Sequence, residues 1–155
     1  MIKRTERLDS IVRQHYASVY RLALSMTGRP ADAEDVTQEV FVAVTKGIDS
    51  FRGDAALSTW IYRIAIRTAV RWRAKQVTTE SLPETLPAQN VAVPIDLIKA
   101  LNALPADARL VIALVAIEGL THAEASDILA IPEGTVASRL HYARKKLSEK
   151  LSLTD

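Results

Sequence analysis

The chain has 155 residues, room for one or two small domains, and its 48% hydrophobic and 25% charged content is globular usage rather than that of a disordered chain. It contains no cysteine, which excludes a disulfide framework and thiolate metal sites, and its histidines, His15, His122 and His141, are isolated and show no paired ligand spacing. Net charge is +2, only 5% of residues are aromatic, so the cores should be mostly aliphatic, and no uncharged run is long enough to span a membrane, which reads as a soluble cytoplasmic protein.

No segment alternates with period two, so the expected fold is all-α. The first part of the chain reads as three helices, over 5–26, 30–46 and 56–76. The second is strongly two-sided: Ala33, Val36, Val40 and Val44, joined by Phe41, form the inward stripe, while Asp32, Asp35, Gln38 and Glu39 lie together on the other side. That polar side fits a solvated helix face or an acidic docking face. A metal site is discounted, because no histidine sits in the helix and no second carboxylate motif of matching spacing occurs elsewhere.

After this helix comes a glycine-containing polar loop over 48–57, and then a helix carrying Arg63, Arg67, Arg71, Arg73 and Lys75 with no acid between 55 and 76. Such a run is either a solvated basic face or a grip on a phosphate backbone. Trp60, Tyr62 and Trp72 are placed to stack on bases, although aromatics at helical spacing more often belong to a core; Trp60 in particular favours the core reading.

Residues 77–94 have no sustained period and contain Pro83, Pro87 and Pro94, so they read as a flexible linker between two small helical domains, 1–76 and 95–155. The second domain divides into helices over 95–104, 105–118, 121–129 and 133–151. Thr121 with Glu124 has the spacing of a capping box, Pro132 and Gly134 punctuate a turn, and Thr135 is placed to cap or open the last helix. The pattern predicts a helix-turn-helix. Taken locally, it also fits an αα-hairpin with a solvated basic face.

In that last helix Val136, Leu140, Ala143 and Leu147 recur on one stripe. Thr135, Ser138, Tyr142 and Lys145 fall opposite, flanked by Arg139 and Lys146 on one edge and by His141 on the other. Hydroxyls, an aromatic with a polar tip and cations suit phosphates and base edges. Along the whole chain basic and acidic surfaces alternate, with two separated basic helices consistent with gripping nucleic acid at two places and acidic segments consistent with protein contacts.

Several motifs in order resemble the bacterial extracytoplasmic-function sigma factors. Residues Asp32-Ala33-Glu34-Asp35-Val36-Thr37-Gln38-Glu39-Val40-Phe41 are similar to the helix with which that family docks on core RNA polymerase. Phe51-Arg52-Gly53 and Ser58-Thr59-Trp60-Ile61-Tyr62-Arg63-Ile64-Ala65 resemble its loop and helix that bind and melt the −10 element. Ala103-Leu104-Pro105, Glu118-Gly119-Leu120-Thr121 and Gly134-Thr135-Val136 through Leu147 resemble the region that reads the −35 element. The resemblance implies a non-enzymatic promoter-specificity subunit, without a cofactor. It implies three kinds of partner: core polymerase, through the clamp helices of its largest catalytic subunit and its flap; promoter DNA; and an anti-sigma factor.

Carried over by motif, the polymerase-binding residues are Asp35, Gln38 and Glu39. The −10 residues are Phe51, Arg52, Gly53, Trp60, Arg63, Arg67 and Arg71. The −35 residues are Thr135, Ser138, Arg139, His141, Tyr142, Arg144, Lys145 and Lys146. The chain departs from the family's usual pattern at Arg67, where asparagine is common, at Ala137 and Tyr142, where cations are common, and at Ala125-Ser126, where Ile-Ala is common. Losing two cations predicts a shallower salt dependence of DNA binding, by roughly one unit of slope per phosphate contact, and the Ala125-Ser126 pair predicts looser packing of the first helix of the motif. Two other classes fit parts of the pattern: a regulator that binds duplex DNA alone, and a helical enzyme using Asp32, Glu34, Asp35 and Glu39, for which no convergent nucleophile or oxyanion donor is visible.

Overall fold

The computed structural model describes residues 2–76 and 94–152, and among them every regular element is helical. The upstream half consists of α1 (Ile2–Thr27), α2 (Pro30–Gly47), a 3-10 turn (Ile48–Ser50) and α3 (Leu57–Gln76). The downstream half consists of α4 (Ile95–Asn102), α5 (Ala106–Ile112) running on into a π-helical turn (Ala113–Ile117), α6 (His122–Leu129) and α7 (Glu133–Ser152). The expected linker over 77–94 lies, apart from Pro94, outside the described residues.

In the upstream half, α1 buries Val19, Tyr20, Leu22, Ala23 and Met26 against the predicted stripe of α2, Ala33, Val36, Val40 and Val44, and against Ile61, Ala65 and Ala69 of α3. Each fully buried Val or Leu contributes about 1.5–3 kcal/mol. Phe41 packs on Tyr16, with centroids 6.2 Å apart, and Tyr16 on Tyr20 at the same distance. Buried hydroxyls return to their own helices, Ser25 to the Leu22 carbonyl, Thr37 to Ala33 and Thr68 to Ile64, so their desolvation is offset. The Tyr20 hydroxyl is buried without a partner among the described residues, and burial pushes its phenol up to about 12.

The α1–α2 corner is set by Gly28. Its φ of 76° is left-handed, its N–H reaches the Leu24 carbonyl at 2.8 Å to end α1, and Pro30 then opens α2. A Cβ on Gly28 would come within 2.5 Å of the Asn102 side chain from α4, so the corner is also where the two halves meet closely.

In the downstream half Leu101, Leu104, Val111, Leu114, Ala125, Val136, Leu140 and Ala143 close a second packing centre, continuous with the first. The helices are short, and polar groups finish them. Arg109, 3% exposed, donates to the carbonyls of Asn102 and Leu104 at the end of α4, at 3.3 and 2.7 Å, and to that of Met26 at the end of α1, at 3.3 Å. A cation at two helix C-termini complements both dipoles.

Candidate nucleic-acid interface

The helix-turn-helix is built as its capping residues dictate. The Thr121 hydroxyl accepts from the Glu124 N–H at 3.0 Å, and the Glu124 carboxylate accepts from the Thr121 N–H at 2.8 Å, the reciprocal capping box. At the far end of α6, Ala130 takes a left-handed φ of 57°, and the N–H of Ile131 turns back to the Ser126 carbonyl at 3.2 Å. The Ser126 hydroxyl fastens the same turn by donating to the Ile131 carbonyl. The unusual Ala125-Ser126 pair therefore does not simply loosen the motif, since Ala125 is fully buried and Ser126 adds a turn bond.

α7 begins at Glu133, so Thr135 lies within its first turn, half-buried, rather than capping it. Val136, Leu140 and Ala143 face inward as expected. Ser138, His141, Tyr142, Arg144 and Lys145 are exposed together. The Lys146 ammonium lies 5.8 Å from the Tyr142 ring centre and 3.8 Å from the Glu149 carboxylate, which restrains both side chains on the rim of this face. Arg139 points elsewhere: its guanidinium is 3.7 Å from the Asp107 carboxylate and borders a cleft that also touches α3. Of the eight α7 residues singled out, Arg139 alone is turned into that cleft among the described residues.

On the upstream half the residues over 48–57 lead from the 3-10 turn into α3. Phe51 and Trp60 pack together with centroids 5.2 Å apart, and Trp60 lies so close to Gly47 that a Cβ there would approach it to 3.1 Å. Both rings are part-buried against the core, so Trp60 braces the loop, while Arg52 and Gly53 at its tip are exposed. On α3, Arg67 and Arg71 are exposed. Arg63 is paired with Asp127 of α6, at 3.0 Å to the carboxylate and 3.3 Å to the carbonyl. Tyr62 is no stacking platform here: it is 7% exposed and its hydroxyl donates to Glu118 at 3.2 Å. Trp72 packs part-buried against the core.

The α2 residues Asp35, Gln38 and Glu39 stand exposed on one face, opposite the buried Val36, Thr37 and Val40. Asp32 sits beside them but is held by Arg29 at 3.5 Å. Among the described residues no group of three or more His, Asp or Glu side chains converges, and no helix is long and apolar enough to cross a membrane.

Sequence reasoning missed one cluster. Glu118, whose side chain is 2% exposed, accepts from Arg21 through both Nε at 2.7 Å and Nη2 at 2.9 Å, and from the Tyr62 hydroxyl. The carboxylate holds the Arg21 guanidinium above its usual range, and burial raises the Tyr62 phenol. Arg109 was missed as well; burial and the neighbouring Arg73 lower it to about 10, leaving it charged at neutral pH. An arginine alone in the apolar run over 108–117 was the one local signal for it.

The chain matches two family models, sigma-70 region 2 over residues 11–79 and sigma-70 region 4 over residues 95–147. It is 35% identical over 159 residues to the ECF RNA polymerase sigma factor SigE of Mycolicibacterium smegmatis, with 93% of this chain aligned and 61% of the length of that relative spanned. Among solved structures it is similar to the sigma factor RpoE in complex with the anti-sigma factor NepR from Bartonella quintana, with a TM-score of 0.79 at 26% identity covering 97% of this chain and 99% of that one. It is likewise similar to CnrH in complex with the cytosolic domain of CnrY, with a TM-score of 0.76 at 25% identity covering 97% of this chain and 91% of that one.

Proposed function

The chain belongs to the extracytoplasmic-function sigma factors, and from that premise we propose that it binds core RNA polymerase in the cytoplasm and directs initiation at promoters with two separate elements, performing no covalent chemistry itself. The observation that carries this reading is the pairing, in one chain, of a polar-faced α2 and basic α3 with a capped helix-turn-helix whose second helix exposes Ser138, His141, Tyr142, Arg144 and Lys145.

In this reading residues 1–76 and 95–155 are the two working units and 77–94 connects them. Asp35, Gln38 and Glu39 form the docking face for the clamp helices of the largest catalytic subunit, and the downstream unit meets the flap. Arg52 and Gly53 at the loop tip meet an extruded −10 base, while Arg67, Arg71 and, once released from Asp127, Arg63 hold the backbone. Opening the duplex costs a few kcal/mol per unstacked base, and such contacts to the displaced strand offset it. The brace of Phe51 on Trp60 keeps the loop in one shape, which lowers the entropy cost of that pocket. In the −35 major groove Ser138, His141 and Tyr142 read base edges, with Arg144, Lys145 and Lys146 nearer the phosphates. Thr135 and Arg139 support the helix rather than lead it. An anti-sigma factor, as in the complex of RpoE with NepR, completes the regulation.

Run-off transcription with purified core polymerase from the source organism, on pooled genomic fragments and at stated salt, tests this. Discrete new starts that appear only with the protein are expected. Tight duplex binding by the protein alone, with no new starts, would instead identify a stand-alone regulator.

A further inference from the structure

α1 opens with charges that its own dipole disfavours. Lys3 and Arg4 lie in its first turn and no acid does, although a helix N-terminus attracts anions and repels cations. The partners of Arg4 account for its place. Because the chain turns back at Gly28, the start of α1 lies beside the end of α2, and the Arg4 guanidinium spans the two. Its Nη2 donates to the Thr45 carbonyl, in the last turn of α2, at 2.9 Å, and its Nε donates to both carboxylate oxygens of Asp49, at 3.3 and 3.2 Å. Last-turn carbonyls are those a helix leaves short of donors, and a cation beside them complements the dipole of α2. Asp49 brings a negative charge to that same end, and Arg4 offsets it.

What this grip holds is the start of the loop over 48–57. Asp49 lies in the 3-10 turn, three residues before Arg52. The turn is fixed from inside by Ile48, which is buried, and by Phe51, whose N–H returns to the Ile48 carbonyl at 3.2 Å and whose ring packs on Trp60. Beyond Phe51 the chain has little to lean on. Arg52, Gly53 and Asp54 are exposed, Gly53 takes a left-handed φ of 83°, and a Cβ on it would meet nothing within 4 Å. The shape of the tip is therefore set at its root, by an inner brace of Phe51 on Trp60 and an outer brace of Arg4 on Asp49 and Thr45. The outer pair is exposed, with side chains 44% and 67% accessible, so it adds little to global stability. Its leverage is local, since fixing the root lowers the cost of ordering the tip when a ligand enters.

We propose that Arg4 is a positioning residue for strand opening: by gripping Asp49 and the last turn of α2 it fixes the root of the loop, and with it the tip that receives the extruded −10 base. The proposal rests on the sigma-factor reading for what the tip binds. The grip itself does not depend on that reading.

Two measurements on the full chain separate these parts. In Arg4→Gln and in Asp49→Asn, hydrogen exchange of the amides over 48–57 is expected to quicken by about three- to fivefold, the scale of one exposed ion pair, while the buried amides of α3 keep their rates. Arg4→Asp combined with Asp49→Arg restores the pair with each charge at the helix end its dipole favours, and is expected to bring the exchange back toward that of the parent. With core polymerase on a promoter defined by run-off transcription, permanganate reactivity of unpaired thymines follows opening. The single variants are expected to open it about three- to fivefold more slowly, with initial promoter binding unchanged and the double variant largely rescued. Unchanged exchange in both single variants would overturn the grip. Faster exchange with opening as fast as the parent's, or weaker initial binding that the double variant does not rescue, would overturn the positioning role. A parent that opens no promoter, with the expected exchange, would leave the grip standing and remove the sigma-factor reading.

Discussion

The two halves are stabilised by different means. The upstream half holds itself with long helices of 26, 18 and 20 residues whose stripes interlock over many turns. The downstream half packs helices of eight, seven and eight residues around the longer α7. Short helices are marginal on propensity alone, so their ends decide. There the capping box at Thr121, the Ser126–Ile131 turn and the Arg109 guanidinium supply what length supplies upstream. The half that we propose inserts a helix into DNA is thus the one fixed by polar end-groups, which place α7 within tight limits.

The difference is breakable at graded points. The largest effect is expected from Arg109→Ala, which strips the donors from the carbonyls of Met26, Asn102 and Leu104. It should lower unfolding stability by about 3–5 kcal/mol, as much as emptying the upstream core with Leu22→Ala, at about 3–5 kcal/mol. Urea unfolding measures the sums, and hydrogen exchange should assign the Arg109 loss to α4 and α5 and the Leu22 loss to α1 through α3. Thr121→Ala should cost about 1 kcal/mol, read as faster exchange confined to α6 and the turn. Ala130→Gly runs the other way: relieving the left-handed φ should stabilise by about 0.5–1 kcal/mol and raise the melting temperature.

The smallest effect concerns pH and the upstream half. Burial lowers His15 below 6.5, so its neutral form is favoured in the fold. The stability this brings is present above the unfolded value and is lost as pH falls through the folded one. His15→Gln should therefore flatten the acid side of the stability profile slightly and leave pH 7 to 8 unchanged, as denaturant titrations at each pH would show.

Much of this was legible in the residues. The helices over 5–26, 30–46 and 133–151 follow from stripes with helical spacing, and the Thr121 capping box from four residues in a row. What the pattern could not reveal acts across sequence distance. Glu118 meets Arg21 from 97 positions away and Arg109 meets Met26 from 83, and no local period records either. The π-helical turn escaped for the same reason, since over 105–118 the spacing of apolar residues reads as one continuous helix. Arg139 shows the limit of a helical wheel: it sits at the edge of the polar stripe, and Asp107 of α5 decides to which side it turns.

The most direct test of the two-element account is promoter mapping with paired variants. On a promoter defined by run-off transcription, every position of both elements is substituted, and the parent, Ser138→Ala with Tyr142→Ala, and Arg52→Ala with Arg67→Ala are compared. The account predicts that the α7 pair changes base requirements only in the upstream element and the loop and α3 pair only in the downstream one. If both pairs alter the same element, or neither alters any, the division of DNA reading between the two halves is wrong.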